Sequence, residues 1–392
     1  MSGRLLAAWQ RFSVKAAAIN LAVSLVSLIV SYLVLELLVF RVLFPNVDLD
    51  IRPHLPETAG VLAQNSKAAF VPRNYVALVG DSYAEGLGDW LLKEGWNEGR
   101  GFHAAHVIRG ITGRDVVTFG LGGSSNAESF VSYMKRALGG GRCLIFPAIE
   151  DPSHIFAYFY EGNDLQDNIA FLNRYKLNGA DSGAVDTFLA GDYGAMPLWR
   201  CHMYLADVVS RMTKFLYNYH VRGINPLIRE PGGGNLFMTG GQVFDAPGKL
   251  EGPPFEMRDE DIRTAMMVFD RALSWLRARF PAVPITVVYI PSPLSTYAPA
   301  TPTAQLHSAR GSASAANVAA SRRTICGLVR EASARRGVGF LDAFPALHAA
   351  SATQQIHGPV DWNHLNEQGY RAFGALLASR IQDHARVDAC GE

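Results

Sequence analysis

The chain has 392 residues, 36 Lys and Arg against 35 Asp and Glu, a formal net charge of +1 and 49% hydrophobic residues. That length accommodates two average domains or one α/β domain with large insertions, and the apolar content is ample for a core. The near-neutral balance, with no basic stripe carrying interleaved aromatics, argues against a nucleic-acid partner.

The first predicted element is a membrane helix. Ala16 to Leu35 is an uncharged, mostly apolar run, about the 20 residues needed to cross a bilayer. Glu36 interrupts it, Leu37 to Phe40 extend it, and Arg41 and Pro45 end it. Arg4, Arg11 and Lys15 precede the run. By the positive-inside rule they keep the N-terminus cytoplasmic and place the chain beyond the helix outside the inner membrane. The run exceeds a signal-peptide core and lacks a small-x-small cleavage site at its end, so residues 1–45 are expected as a retained, single-pass signal anchor. Glu36 belongs either at the outer interface or against a partner helix. Residues 46–73, proline-containing and without periodicity, read as a linker to a domain over 74–392.

From Tyr75 onward, short apolar runs alternate with helical stretches, the pattern of a mainly parallel sheet wound on both faces. Strands are expected at 75–80, 114–119, 153–160, 284–290 and 338–342. The first runs into Gly80-Asp81-Ser82. A serine at a sharp strand-to-helix turn is lifted out of the sheet, and the helix N-terminus aims free N–H groups at any anion forming there. His103 and His106 come next on an expected helix with no carboxylate cluster, a half-buried or solvated pair and not a metal site.

The second strand leads into Thr118-Phe119-Gly120-Leu121-Gly122-Gly123-Ser124, whose glycines let a backbone N–H approach a substrate closely. No Lys-Ser/Thr pair comes after it, so this is not a phosphate loop. The third strand ends in Tyr160-Glu161-Gly162-Asn163-Asp164, where an asparagine at the carboxyl edge of a parallel sheet can donate its amide to an oxyanion. Roughly 120 residues then precede the fourth strand, far more than a crossover needs. This insertion, at about 165–257, has an expected helix from Leu198 to Tyr219. Next comes a Gly/Pro-rich stretch from Glu230 to Pro254, either a hairpin or a mobile loop. Because it emerges beside Asn163, the insertion is either a lid over the site or a packing or oligomer contact.

Ile262, Met266, Phe269, Leu273, Leu276 and Phe280 recur at three- and four-residue intervals, predicting a sheet-covering helix over 258–280. Tyr289 to Ser295 leaves the fourth strand at the same edge, as pocket wall or ordinary turn. Another helix is expected at Thr324–Ala334. The last segment of interest is Asp361-Trp362-Asn363-His364-Leu365-Asn366, ahead of a helix to about Ile381. A serine hydroxyl needs a base to take its proton, and an imidazole needs a carboxylate to fix its tautomer. Asp361 and His364, three apart in a loop, can supply both. The four cysteines, Cys143, Cys201, Cys326 and Cys390, match no zinc spacing; they fall where disulfides are permitted and allow three pairings.

Taken together, the four strand-end segments resemble the SGNH (GDSL-type) hydrolase superfamily, in the family's block order. The resemblance implies a flavodoxin-like three-layer αβα sandwich with a five-stranded sheet, and no metal or cofactor. It makes Ser82 the nucleophile, His364 the general base and acid, and Asp361 its orienting carboxylate. The oxyanion hole would be the N–H groups of Ser82 and Gly123 and the amide of Asn163; Asp81 supports the turn and is no triad member. Two departures mark a divergent branch: Tyr83 stands where the name motif has Leu, and the third block's glycine lies directly beside its asparagine.

The implied activity is ester hydrolysis outside the inner membrane, removing acetyl groups from a carbohydrate or cell-envelope polysaccharide. The same site serves a polysaccharide O-acetyltransferase fed by a membrane acyl-donor protein. A lipase ranks behind both, because no acyl-chain groove is evident. A catalytically silent polysaccharide-binding module is the reading from another class. With His364 as base, activity is expected to fall as pH drops through an ordinary imidazole pKa of about 6 to 7.

Overall fold

The apolar runs that begin at Tyr75 lack the length for helices and are rich in β-branched and aromatic residues, so they form strands buried on both faces. In the computed structural model, which describes residues 2–46, 55, 57–88, 101, 103–139, 145–195, 203–222, 232–248, 250–255, 257–305 and 312–391, they pair into one sheet. Its strands are β1 (Val76–Gly80), β2 (Val116–Gly120), β3 (His154–Tyr160), β4 (Ile285–Ile290) and β5 (Gly339–Asp342). The order across the sheet is β5-β4-β3-β1-β2, and every pairing is parallel. The register sets Val79 of β1 level with Phe119 and Ala157. The chain therefore leaves β1, β2 and β3 at one edge, where the candidate residues begin.

Alternate side chains feed two cores. Ala77, Val79, Phe119, Ala157, Phe159 and Val287 share one with the helix Asp259–Arg279, whose Phe269, Leu273 and Leu276 are fully buried. Val76, Leu78, Val116, Phe156, Tyr158 and Val288 share the other with the helices Ala104–Thr112 and Glu367–Arg380. The helix expected at Thr324–Ala334 is longer, Ala315–Arg335, because Ser314 caps it upstream by accepting the Asn317 N–H.

The N-terminal helix Ser2–Leu38 continues through a wide turn at Val39–Leu43 and contains a 30-residue stretch, Val14–Leu43, long and apolar enough to span a membrane. Within 46–73, expected as a linker, Glu57–Ala63 is a helix whose Ala59, Val61 and Leu62 are buried in the first core. Gln64 fastens this segment to the sheet edge: it accepts the Thr118 N–H at 2.7 Å and donates to the Thr118 carbonyl at 2.8 Å. Its apolar residues are too few for a period to register, so packing and not pattern fixes it.

The long insertion divides its contacts. Asp164–Arg174 and Ser182–Ala190 pack on the helix Asp259–Arg279. The helix expected at Leu198–Tyr219 is described from Tyr204 to Leu216; residues 198–202 lie outside the described residues. The Gly/Pro-rich stretch resolves into a hairpin of Gly232–Thr239 and Gln242–Pro247, with residues 223–231 outside the description. A disulfide joins Cys326 to Cys390 and ties the C-terminal segment to the Ala315–Arg335 helix. Cys143 and Cys201 lie outside the described residues.

Candidate active site

Ser82 opens a single helical turn, Ser82–Glu85, immediately after β1. Asp81 caps that turn by accepting the Tyr83 N–H at 3.0 Å. Gly120 is obligatory behind it, because a Cβ there would lie 1.9 Å from the Glu85 nitrogen. The Ser82 turn is thus pressed against the end of β2.

The expected partners arrive from the far end of the chain. Asn366 caps the helix Glu367–Arg380 by accepting the N–H groups of Gln368 and Gly369, which stops the helix short of the preceding loop. In that loop His364 Nε2 lies 2.8 Å from Ser82 Oγ, and His364 Nδ1 lies 2.6 Å from Asp361 Oδ2. Asp361 can only accept, so Nδ1 carries a proton in both charge states of the ring. Nε2 then accepts the Ser82 hydroxyl proton when the ring is neutral. Asp81 Oδ2 stands 3.3 Å from Ser82 Oγ, the longer of the hydroxyl's two contacts.

Burial alone would push His364 down, but Asp361, with Glu251 and Asp81 further off, raises it to about 9. The ordinary range of about 6 to 7 expected from sequence is therefore corrected upward, because several carboxylates surround one ring in a shielded site. Burial opposes ionisation of Asp361 as well; the adjacent His364 overcomes it and holds the carboxyl below its usual value. Burial pushes Asp81 up, against the capping bond from the Tyr83 N–H, which favours its carboxylate form.

The expected oxyanion donors are held differently. Gly123 sits in the turn after β2 at φ +66°, a conformation that favours glycine, and a Cβ there would meet open space. Its neighbour Gly122 lies beside the Ser82 turn, where an added Cβ would stand 3.9 Å from Ser82 Cβ. Leu121 N–H donates to the Gly80 carbonyl at 3.1 Å and Gly122 N–H to Glu85 Oε2 at 2.7 Å, fixing the loop to the Ser82 turn. Asn163 is the residue before the helix Asp164–Arg174, and its side chain makes no capping bond; its Oδ1 is buried without a partner among the described residues. Behind these two, Asn126 Nδ2 donates to Asp164 Oδ2 at 2.8 Å, and Asn126 and Asn168 bond each other. That buried network locks the Gly loop to the Asn163 turn.

Sequence reasoning missed three residues. Tyr83 donates to the Asn363 carbonyl at 2.7 Å, and Tyr160 donates to the same oxygen at 3.3 Å. Their rings lie 4.3 Å apart, beneath the His364 loop. Tyr83 therefore anchors the loop that carries His364. Glu251, from the insertion, is the third, its N–H donating to Asn363 Oδ1 at 3.4 Å. The hairpin also meets this loop where Phe244 stacks on Trp362, centroids 5.8 Å apart. Glu161, beside Asn163 in sequence, is structural: fully buried, it accepts from Tyr289 Oη at 2.8 Å and Ser292 Oγ at 2.6 Å. This bond ties the ends of β3 and β4 and accounts for the segment Tyr289–Ser295. His103 caps its own helix by accepting the Ala105 N–H at 3.2 Å, and no metal-binding cluster occurs among the described residues.

Compared with protein-family models, curated proteins and solved structures, the chain matches none. The functional reading therefore rests on the geometry and on the sequence blocks.

Proposed function

We propose that the chain is a serine ester hydrolase of SGNH type, anchored by its N-terminal helix in the inner membrane and working outside it. The observation that carries this is the continuous chain Ser82 Oγ, His364 and Asp361, with contacts of 2.8 and 2.6 Å. It is the geometry a serine needs to lose its proton as it attacks. The strand order β2-β1-β3-β4-β5 supports the flavodoxin-like, doubly wound sandwich, whose ligands bind at the carboxyl edge. The Cys326–Cys390 disulfide fits an oxidising compartment.

In this reading Ser82 Oγ attacks the ester carbonyl as its proton passes to His364 Nε2. Charge on the carbonyl oxygen falls to the N–H groups of Ser82 and Gly123 and the amide of Asn163. His364 returns the proton to the departing alkoxide, the C–O bond breaks, and an acyl group remains on Ser82. Water, deprotonated by His364, attacks that acyl carbonyl and releases the carboxylic acid and the serine hydroxyl. The substrate is an acetylated carbohydrate of the cell envelope, the ester class such a tethered domain meets.

The test is acetyl release by the full chain in detergent from a chromogenic acetyl ester, beside Ser82→Ala. The full chain is required because Phe40 and Phe44 of the anchor are buried in the domain's core. Turnover lost in the variant supports the reading. An acyl burst on Ser82 with slow release points to transfer instead, and equal rates in both proteins overturn the serine site.

A further inference from the structure

The membrane helix meets the domain along one narrow face. Tyr32, Glu36, Phe40 and Phe44 recur every four residues; the last three are buried, whereas Val14 to Ser31 is exposed on all sides. A carboxylate in so apolar a helix needs partners. Glu36 Oε1 accepts the Leu205 N–H at 2.8 Å, and the Tyr32 hydroxyl accepts the Ala206 N–H at 3.2 Å. Both donors belong to the first turn of the helix Tyr204–Leu216, where N–H groups have no acceptor within the helix and favour negative charge. Tyr204 is wedged edge-on against Phe40 and Phe146. The membrane segment itself therefore caps a helix of the insertion.

Length fixes the height of that contact. The 30 residues of Val14–Leu43 rise about 45 Å, whereas the hydrocarbon of a bilayer is about 30 Å thick. Arg11 and Lys15 hold the other end at its interface, which puts the surplus, roughly ten residues, at the end where the domain docks. Glu36 then falls at the edge of the hydrocarbon, and the helix Tyr204–Leu216 begins there.

This helix carries an apolar stripe. Leu205, Val209, Met212 and Leu216 fall within roughly 60° of arc on a 3.6-residue helix. Leu205 packs against the core, but Val209, Met212 and Leu216 are 56%, 36% and 48% exposed. Asp207, Ser210 and Lys214 occupy the opposite side. Leu37, Leu38 and Val42, on the membrane helix beyond Glu36, are also exposed. Bare apolar surface of this extent marks a membrane or partner contact.

We propose that the stripe Val209-Met212-Leu216 lies in the bilayer leaflet on the domain's side, so that this helix is an interfacial contact orienting the domain on the membrane. Lipid is the occupant because the capping contacts to Glu36 and Tyr32 start the helix at the hydrocarbon edge, continuous with the apolar surface of the span. The inference rests on Val14–Leu43 crossing the bilayer and is independent of the esterase reading. An amphipathic helix in this position sinks its apolar face about 5–10 Å below the headgroups.

The experiment uses the full chain in phosphatidylethanolamine–phosphatidylglycerol vesicles with radiolabelled acyl chains. Photoreactive p-benzoylphenylalanine replaces Met212, or Ser210 on the opposite side as control. Irradiation is expected to attach about tenfold more lipid label at 212 than at 210, because only the sunken face reaches acyl chains. Position 209 repeats the measurement on the same face should the 212 variant not fold. Glu36→Ala, which removes the cap, is expected to reduce labelling at 212. Equal labelling at 210 and 212, or crosslinking from 212 to a second protein chain in place of lipid, overturns the proposal. Ester turnover in the same vesicles is read separately, so failure of the site and failure of the membrane contact remain distinct.

Discussion

The two sides of the candidate site are built on opposite rules. On the proton-moving side the polar groups are linked in series: Ser82 with His364, His364 with Asp361, Asp361 with the Asn363 N–H at 3.1 Å, and the Asn363 carbonyl with Tyr83 and Tyr160. On the charge-receiving side the support is equally dense, through Asn126, Asp164 and Asn168, but it stops one residue short. Gly123 and Asn163 are held through their neighbours, and the Asn163 side chain makes no capping bond to the helix it precedes. A group that passes a proton must be aligned beforehand, whereas a donor for developing charge stabilises it only if no protein acceptor has already taken it. The first side is made by long side chains converging from distant segments; the second is made by backbone turns.

If this contrast is right, substitutions should rank by side. Ser82→Ala is expected to reduce kcat for acetyl-ester hydrolysis by about 10⁴ to 10⁶, close to the loss from removing the whole triad. Asp361→Asn should cost about 10⁴ in kcat, because Nδ1 loses the acceptor that fixes the ring; a loss below tenfold would show that the His364 loop orients itself. Asn163→Ala should cost about 10² to 10³ in kcat with KM little changed, the signature of a group used in the transition state. A change confined to KM would move Asn163 out of the oxyanion hole.

Three of the four blocks were legible because they lie at a strand end, where a run of apolar residues breaks into Gly, Asp, Ser or Asn; the fourth, Asp361 to Asn366, lies instead in the loop before the helix Glu367–Arg380 and was legible from its Asp and His three apart. The five strands were legible for the same reason, as was the helix over Asp259–Arg279 from its spacing. What anchors the His364 loop was not. Tyr83 and Asn363 are 280 residues apart and Tyr160 and Asn363 are 203 apart, so no local period links them; the unusual tyrosine after Ser82 was the only signal. Glu36 gave half a message. Its cost in an apolar helix was plain, but its partners, 169 residues on at Leu205, belong to tertiary packing. The segment Glu57–Ala63 was hidden among prolines because one short buried helix has too few turns to show a pattern.

The pH dependence sharpens the comparison further. His364 is raised to about 9, so the neutral ring needed as base is lost as pH falls below that value. The rate should climb from pH 7 to 9 and level above it. The same shift stabilises the fold below the unfolded imidazole pKa, and that contribution is lost as pH rises through about 9. Glu251→Gln, removing one of the carboxylates that raise the ring, should move the kinetic midpoint to lower pH; an unmoved midpoint would place Glu251 outside the site's electrostatics. The smallest expected effect is Tyr83→Phe. It loses one hydrogen bond to the His364 loop, about 1 kcal/mol, and should lower kcat severalfold while Tyr160 still holds Asn363.

The central claim is that Ser82 is a nucleophile activated by His364. The most direct measurement is covalent labelling of the full chain in detergent with a fluorophosphonate, the modified residue located by peptide mass mapping. The account predicts a single phosphonylated residue, Ser82, with labelling abolished by Ser82→Ala and strongly slowed by His364→Ala. Modification elsewhere with Ser82 untouched, or labelling of Ser82 at an unchanged rate without His364, would contradict it.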